Sequence, residues 1–473
     1  MSNIQVDGNL GGVTPFIRFL QLSGAGLEDV ASASFQIEPK PGRVSKPVSA
    51  TFAKSWLERR GYLVEGAGML TIPVFGLYAD FDNPVELTLA FDDGSSRTLQ
   101  TVVTTVPYAD PNAVFDRPVI RKARDAASRD LGLDFFALKS TLGSPVIVDS
   151  DAEVRWTGPS SLGGSVSTFD GEDFVLVAAG RQLTRLGLDG SVAQTTVLAP
   201  NVTGFHHNID PGKVGLLGEV EADVGGVAQV ESTLIEVLPS GAVARTWDLA
   251  ALLANYMQSA GDDPSAFVRP GFDWFHMNAA AYDPSDDSII MSGREDFVVK
   301  VDYATGAIKW ILGDPSKYWY TFPSLRSKAL TISPGGLVPI GQHAISITSD
   351  GLLMFFNNGT PSTRQPAGAP VGDGRAYSAV SAYAIDPIAR TATEVWNFDY
   401  NQSIYSSVCS SVYEADNRSM LVNFATADAG ASARLVGLDG NREVAFDFEY
   451  PSPSTCATAW NAIPIPLDRM QFD

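Results

Sequence analysis

Short apolar runs broken by turn residues dominate the chain. Apolar and polar positions alternate over Gly66 to Leu77 (GAGMLTIPVFGL), Pro84 to Phe91 (PVELTLAF) and Arg97 to Val106 (RTLQTVVTTV). A period of two is the mark of a strand with one buried face. Phe91 to Ser96 (FDDGSS) supplies a hairpin turn between the last two. These segments predict a small β-sandwich over residues 1–110. The segment YADPNAVFDRP from Tyr108 reads as a linker, and 111–140 is expected to be linker with a helical stretch over Val119 to Leu138. Helical periodicity recurs once more, in WDLAALLANYM from Trp247 to Met257.

Beyond that point one pattern repeats. An apolar strand ends in a turn of Asp, Ser, Gly or Pro, and a second strand follows, often with an aromatic. Six copies begin at Val146, Leu183, Leu234, Val298, Tyr383 and Leu435. Their spacing of roughly 40 to 80 residues is how the outer hairpin of a β-propeller blade looks in sequence. The predicted fold is therefore all-β: a six-bladed β-propeller over 141–473 behind the N-terminal β-sandwich. Unrelated hairpins in a larger sandwich are the alternative. In a propeller the innermost strands line a central channel, so function is sought on the segments between the repeats.

Composition narrows the class. Lys+Arg total 33 against 54 Asp+Glu, a net charge of −21. That excess argues against gripping nucleic acid or an anionic membrane surface. No apolar run approaches the roughly 20 residues of a membrane helix, so no membrane insertion is expected. The two cysteines, Cys409 and Cys456, make neither a disulfide scaffold nor a zinc module. The start, MSNIQVDGNLGG, has neither the basic nor the apolar region of a secretory signal. A cytoplasmic chain and one whose signal has been removed both fit this.

The chain holds only four histidines: His206, His207, His276 and His343. They fall in three different inter-repeat segments, so three blades would bring them to one channel. Histidine serves both proton transfer and nucleophilic attack near neutral pH. Three unrelated structural histidines are the plainer reading. The richest stretch is DWFHMNAAAYDPSDDSIIMSGRED, Asp273 to Asp296. If Tyr282 pairs with Ser288, then Asn278 faces Ser292 and His276 faces Arg294, so imidazole, carboxamide and guanidinium share a face. That set suits a tetrahedral oxyanion, with Arg294 offering a planar fork. His206 and His207 are adjacent, so at most one is expected to point into a channel. Metal binding is the rival reading. No carboxylate accompanies the histidines at tight spacing, so no metal is expected. No phosphate loop or nucleophile elbow is present, and no cofactor is expected.

The pattern H-x-N, then YDPSDDSII, then S-x-R, with KWILGDP and IGQHAISI downstream, resembles the PAPS-independent bacterial aryl sulfotransferases. IPVFGLYADF, Ile72 to Phe81, resembles the motif of that family's N-terminal β-domain, so the resemblance spans nearly the whole chain. It implies a six-bladed propeller with an N-terminal β-sandwich. It also implies a ping-pong transfer of a sulfuryl group from an aryl sulfate to a phenol through a sulfohistidine, without PAPS. By motif, His343 is then the nucleophile, His276 and Asn278 are the H-x-N pair, and Arg294 is the S-x-R arginine. His206 matches the early-blade histidine best, with His207 as the substrate-binding alternative. Phe275, Trp274 and Tyr320 are candidates to stack on a phenol ring. Partners would be small phenols and aryl sulfates, and homodimers occur in the family.

One departure matters. The family carries a disulfide shortly before the nucleophile, and here ALTISPGGLVPIGQ is short and has no cysteine. Cys409 and Cys456 lie in late blades instead, as a disulfide, free thiols or core residues. This weakens the periplasmic home that the resemblance implies. Two other functions compete: an aryl sulfatase with water as acceptor, and a non-catalytic propeller that binds sulfated aromatics.

Overall fold

The computed structural model describes residues 4–64, 66, 68–125 and 131–473. Among them strand dominates and helix is sparse. Two sheets form the N-terminal sandwich. One orders the strands Gln5–Gly11, Ile17–Ser23, Met69–Phe75 and Leu63–Val64; the other orders Met470–Phe472, Val48–Ala53, Val30–Ile37, Asp82–Phe91 and Ser96–Thr104. The predicted hairpin pairs as expected, with Leu89 opposite Arg97 and Ala90 opposite Ser96. The C-terminal strand Met470–Phe472 returns to run parallel to Val48–Ala53, and Phe472 stacks on Phe52. The end of the chain is thus built into the first unit.

The remaining described strands form six sheets, each antiparallel through four neighbouring strands. Their innermost strands are Asn461–Pro464, Ser167–Phe169, Val202–Pro211, Met277–Asp283, His343–Ile347 and Ser411–Glu414. Each copy of the sequence repeat is the hairpin of the third and fourth strands counted outward; Phe297–Asp302 with Ile308–Gly313 is one example. The first sheet takes its inner strand from the end of the chain, with Leu138 opposite Ala462. This joining of early and late strands closes a propeller without leaving an inner edge.

The expected helix over Val119 to Leu138 is wrong where it is described. Val119–Lys122 is a fifth strand on the sixth sheet, pairing with Val444–Pro451, and Phe135–Lys139 belongs to the first sheet; residues 126–130 lie outside the described set. An unsatisfied sheet edge and a partner strand outweigh the weak helical period. The second expected helix is present as Leu249–Ser259, capped by Asp248 accepting from the Ala251 amide.

The sandwich is docked on the early sheets. Arg155, fully buried, donates to the Gly76 carbonyl, pairs with buried Asp149, and lies over the Tyr78 ring. A single disulfide, Cys409–Cys456, answers the question the sequence left open. It ties together the loops that lead into Ser411–Glu414 and Asn461–Pro464.

Candidate active site

The chemistry collects where inner strands begin. His207, His276, Ala344, Cys409 and Cys456 all have φ between 50° and 60°. Left-handed backbone is costly for residues with a Cβ, on the order of 1 kcal/mol each. Here it recurs around one end of the ring. Bulges accompany it: the register slips between Phe205 and Ile209, between Met277 and Ala279, and between His343 and Ser346. A bulge adds a residue and re-aims the side chains beside it.

This overturns the simple register. Asp283, not Tyr282, pairs with Ser288, and Ala279, not Asn278, faces Ser292. His276 precedes the strand, yet its carbonyl accepts from the Arg294 amide at 3.1 Å, so these two residues still meet. The bulge also puts both early histidines together: His206 Nδ1 lies 3.0 Å from His207 Nδ1. The strict alternation behind the expectation that at most one of them points into a channel does not hold across this bulge.

His343 is 3% exposed, and its Nδ1 lies 3.0 Å from the Gly341 carbonyl and 2.8 Å from Asn358 Oδ1. Asn358 cannot be flipped, because its Nδ2 donates to the carbonyls of Ser406 and Cys409. Nδ1 must therefore carry the proton, and the lone pair resides on Nε2. Burial, helped by the positive charge of Arg294, pulls the His343 pKa down to about 3. The imidazole is neutral and nucleophilic at any ordinary pH.

Arg294 donates through Nε and Nη2 to Glu295 Oε1 at 2.9 and 2.5 Å. Glu295 also accepts from Ser362 Oγ, from Thr363 and from the Arg364 amide. Burial opposes its ionisation, but Arg294 and these donors outweigh burial and hold Glu295 at about 2. The guanidinium is thereby fixed by a carboxylate that stays ionised, with its other N–H groups left for a ligand.

Asn278 donates Nδ2 to the Gln342 carbonyl at 2.8 Å, bracing the residue before His343. Its Oδ1 is buried without a hydrogen-bond partner. The His207 ring meets the His276 ring edge-on at 4.7 Å. His207 is held neutral first by burial and then by the positive charge of His276 and Arg294. His206 stands behind it, lowered by burial to about 4, with Nε2 buried and unpartnered.

Two carboxylates stand beside His276, so the expectation of no acid near the histidines is corrected. His276 Nδ1 is 2.8 Å from Asp273 Oδ2 and 2.6 Å from Glu231 Oε2. Asp273 was legible as a D-x-x-H spacing; Glu231 comes from the hairpin partner of a neighbouring strand and carries no local signal. His206, His207 and Glu231, and Glu231, Asp273 and His276, are the sets with a metal-compatible grouping among the described residues. The His276 contacts are hydrogen-bond separations. Two ligands on a common zinc stand farther apart, about 3.3 Å from bond lengths near 2.0 to 2.1 Å.

Beneath the histidines, Lys139 Nζ donates to Asn208 Oδ1 at 2.5 Å, and Asn208 donates to Asp210 and Glu219. Burial lowers Lys139 to about 8 and raises Asp210 to about 6. This buried polar group, also missed from sequence, fills the floor of the site.

The aromatic platform is not where it was expected. Trp274 and Phe275 are 1% and 0% exposed and pack in the core of the fourth sheet with Phe297. Their side chains fill the layer between sheets, because bulky apolar groups gain most by burial there. Tyr320 packs on Trp319 and lines a separate cavity of about 500 Å³ with Arg326 and Arg390. Phe272, next to Asp273, is the exposed aromatic of this stretch, at 66%.

Three lowered histidines make the fold acid-sensitive. The unfolded histidine value is 6.5, against about 4 for His206 and about 3 for His343. Over that interval the unfolded chain binds more protons, so stability is intact above pH 6.5 and falls as the pH drops. His276, raised by Asp273 and Glu231 against the effect of burial, acts in the opposite sense. We expect the Tm of the wild type to fall between pH 6.5 and 4, with a shallower slope in His343→Asn. Equal slopes would contradict the buried neutral state of His343.

Residues 122–461 match the family model described as Arylsulfotransferase (ASST), and residues 24–107 match the Arylsulfotransferase Ig-like domain. Arylsulfate sulfotransferase AssT of Escherichia coli O6:H1 is 29% identical over 240 residues, 41% of this chain and 39% of that protein. The protein of the same name from Lelliottia amnigena is 26% identical over 245 residues, 42% of this chain and 40% of that protein. The matched region thus spans about two fifths of the length of these curated relatives. Among solved structures, the β-propeller domain of Cps50 (Swd1) from Myceliophteria thermophila covers 70% of this chain and 95% of its own at 12% identity, with a TM-score of only 0.36. The sulfotransferase match takes in well over half of the chain, and the protein belongs to the arylsulfotransferase family.

Proposed function

We propose that this protein moves a sulfuryl group from an aryl sulfate to a phenol in two steps, through a sulfohistidine at His343 and without PAPS. The observation that carries this reading is the locked tautomer of His343. Its Nδ1–H is held by Gly341 and Asn358, and its pKa of about 3 keeps Nε2 unprotonated.

In the first step Nε2 forms a bond to sulfur as the bond from sulfur to the aryl oxygen breaks. Positive charge developing on the ring strengthens the Nδ1–H bonds to the two carbonyl oxygens. Arg294, with His207 or His206, receives the sulfuryl oxygens as charge builds on them. The phenolate leaves with a proton from His276, whose Nδ1 is occupied by Asp273 and whose Nε2 is left for the site. In the second step an acceptor phenol gives its proton to His276, its oxygen attacks sulfur, and the N–S bond breaks. One site thus serves donor and acceptor in turn.

Brief mixing with 4-nitrophenyl sulfate and no acceptor is expected to add about 80 Da, one sulfuryl group, to the intact mass. Phenol should remove it. Steady nitrophenol release without a mass gain would instead point to hydrolysis or direct transfer. Neither gain nor release would favour a binding propeller.

A further inference from the structure

The proton-transfer half of this site contains a part that neither the family match nor the sequence motif assigns. We propose that Glu231 and Asp273 are paired positioning residues that hold His276 with Nδ1 protonated and Nε2 turned toward the bridging oxygen of the substrate. The proposal rests on the reading of His276 as the proton donor.

The geometry supports two carboxylates acting on one nitrogen. Asp273 Oδ2 accepts from His276 Nδ1 at 2.8 Å, and Glu231 Oε2 lies 2.6 Å from the same atom. Each is supplied by a different element. Asp273 is in the loop before Met277–Asp283, and Glu231 is in Val227–Val237 of the preceding sheet. Glu231 sits at φ 45°, so left-handed backbone delivers it to the site. Asp273 is further tethered by Arg364, 3.5 Å away and itself 55% exposed. Glu231 Oε2 is buried without a hydrogen bond of good geometry, so it meets the single Nδ1–H that Asp273 accepts as a charge partner rather than as a second acceptor. A carboxylate behind a histidine fixes its tautomer and stabilises its protonated form, as an orienting acid does in other histidine chemistry.

The charged surroundings of His276 favour the same role. Burial and Arg294 oppose its protonation, while Asp273 and Glu231 favour it and prevail. Glu221, facing Glu231 and Asp273, is raised to about 6 by burial and by Glu231, and so is largely protonated in mild acid. His343 also feels His276, but burial already keeps it neutral. His276 is therefore the histidine of the four whose environment holds a proton, opposite the one whose environment refuses it.

Leaving-group dependence tests this. In Glu231→Gln and Asp273→Asn, kcat/KM for phenyl sulfate, a poor leaving group, is expected to fall about tenfold further than for 4-nitrophenyl sulfate. The basic limb of the kcat profile should move to lower pH in both, because His276 loses an anionic partner. Glu231→Asp should restore part of the selectivity loss. An equal fall with both donors, at unchanged limb position, would make the carboxylates structural and overturn the proposal. His276→Ala is run in parallel. If it too shows no leaving-group dependence, the donor role of His276 fails first; if it does and the carboxylate variants do not, only the pair is refuted. Loss of wild-type activity on chelation, restored by zinc alone, would also overturn the proposal in favour of a metal site.

Discussion

His343→Asn is expected to lose at least about 10⁴-fold in turnover of any aryl sulfate and to gain no sulfuryl mass. In the proposed mechanism both steps pass through Nε2, so the loss would fall on each of them. The variant should fold, because asparagine is smaller than the imidazole it replaces and retains groups able to meet Gly341 and Asn358. Circular dichroism and Tm at pH 8 check that. The acid group, the guanidinium and the binding surface all remain, so residual donor binding should survive. Retention of turnover within tenfold of the wild type would sink the nucleophile assignment, whatever happens to the mass spectrum.

Arg294→Lys is the more revealing of the conservative changes. It keeps the charge and removes the planar fork. In the wild type one edge of the guanidinium is spent on Glu295, and the remaining N–H groups are available to the sulfuryl oxygens. A single ammonium cannot do both. We expect kcat/KM to fall about 10² to 10³-fold, the size seen when one preorganised oxyanion donor is lost, and chiefly through kcat. The sulfuryl mass gain should slow by a similar factor. A loss below tenfold would mean that the histidines, not Arg294, carry the oxyanion. Glu295 is 1% exposed and would be left partly unpaired, so Tm must be followed alongside. Glu295→Gln provides the control, since it frees the guanidinium without removing it.

Both results depend on residues that the sequence exposed unevenly. His276, Asn278, Arg294 and His343 were picked out because the chain has only four histidines and because these residues sit in short motifs beside strongly patterned strands. Asn358 was not: it follows the apolar run of Leu353–Asn357 and looks like a turn residue. Only the fold shows that it fixes the tautomer of His343, because its other contacts come from Ser406 and Cys409, some fifty positions away. Trp274 and Phe275 failed as ring partners for a related reason. Hydropathy says that an aromatic seeks burial but not which surface buries it.

The sequence by itself determined the periodic parts of this protein. Alternation with turn punctuation fixed the strands, and a hairpin repeated along the chain implied sheets laid in succession, because both signals are local and each copy reinforces the next. Tertiary structure alone decided where side chains point at the inner ends of those strands. There the backbone turns left-handed and bulges, at His207, His276 and Ala344, so a period of two no longer predicts a face. It also decided the charge of each histidine. Carboxylates from separate elements favour the protonated form of His276, and burial keeps His343 neutral. Those energies arise between residues remote in sequence, and no local pattern encodes them.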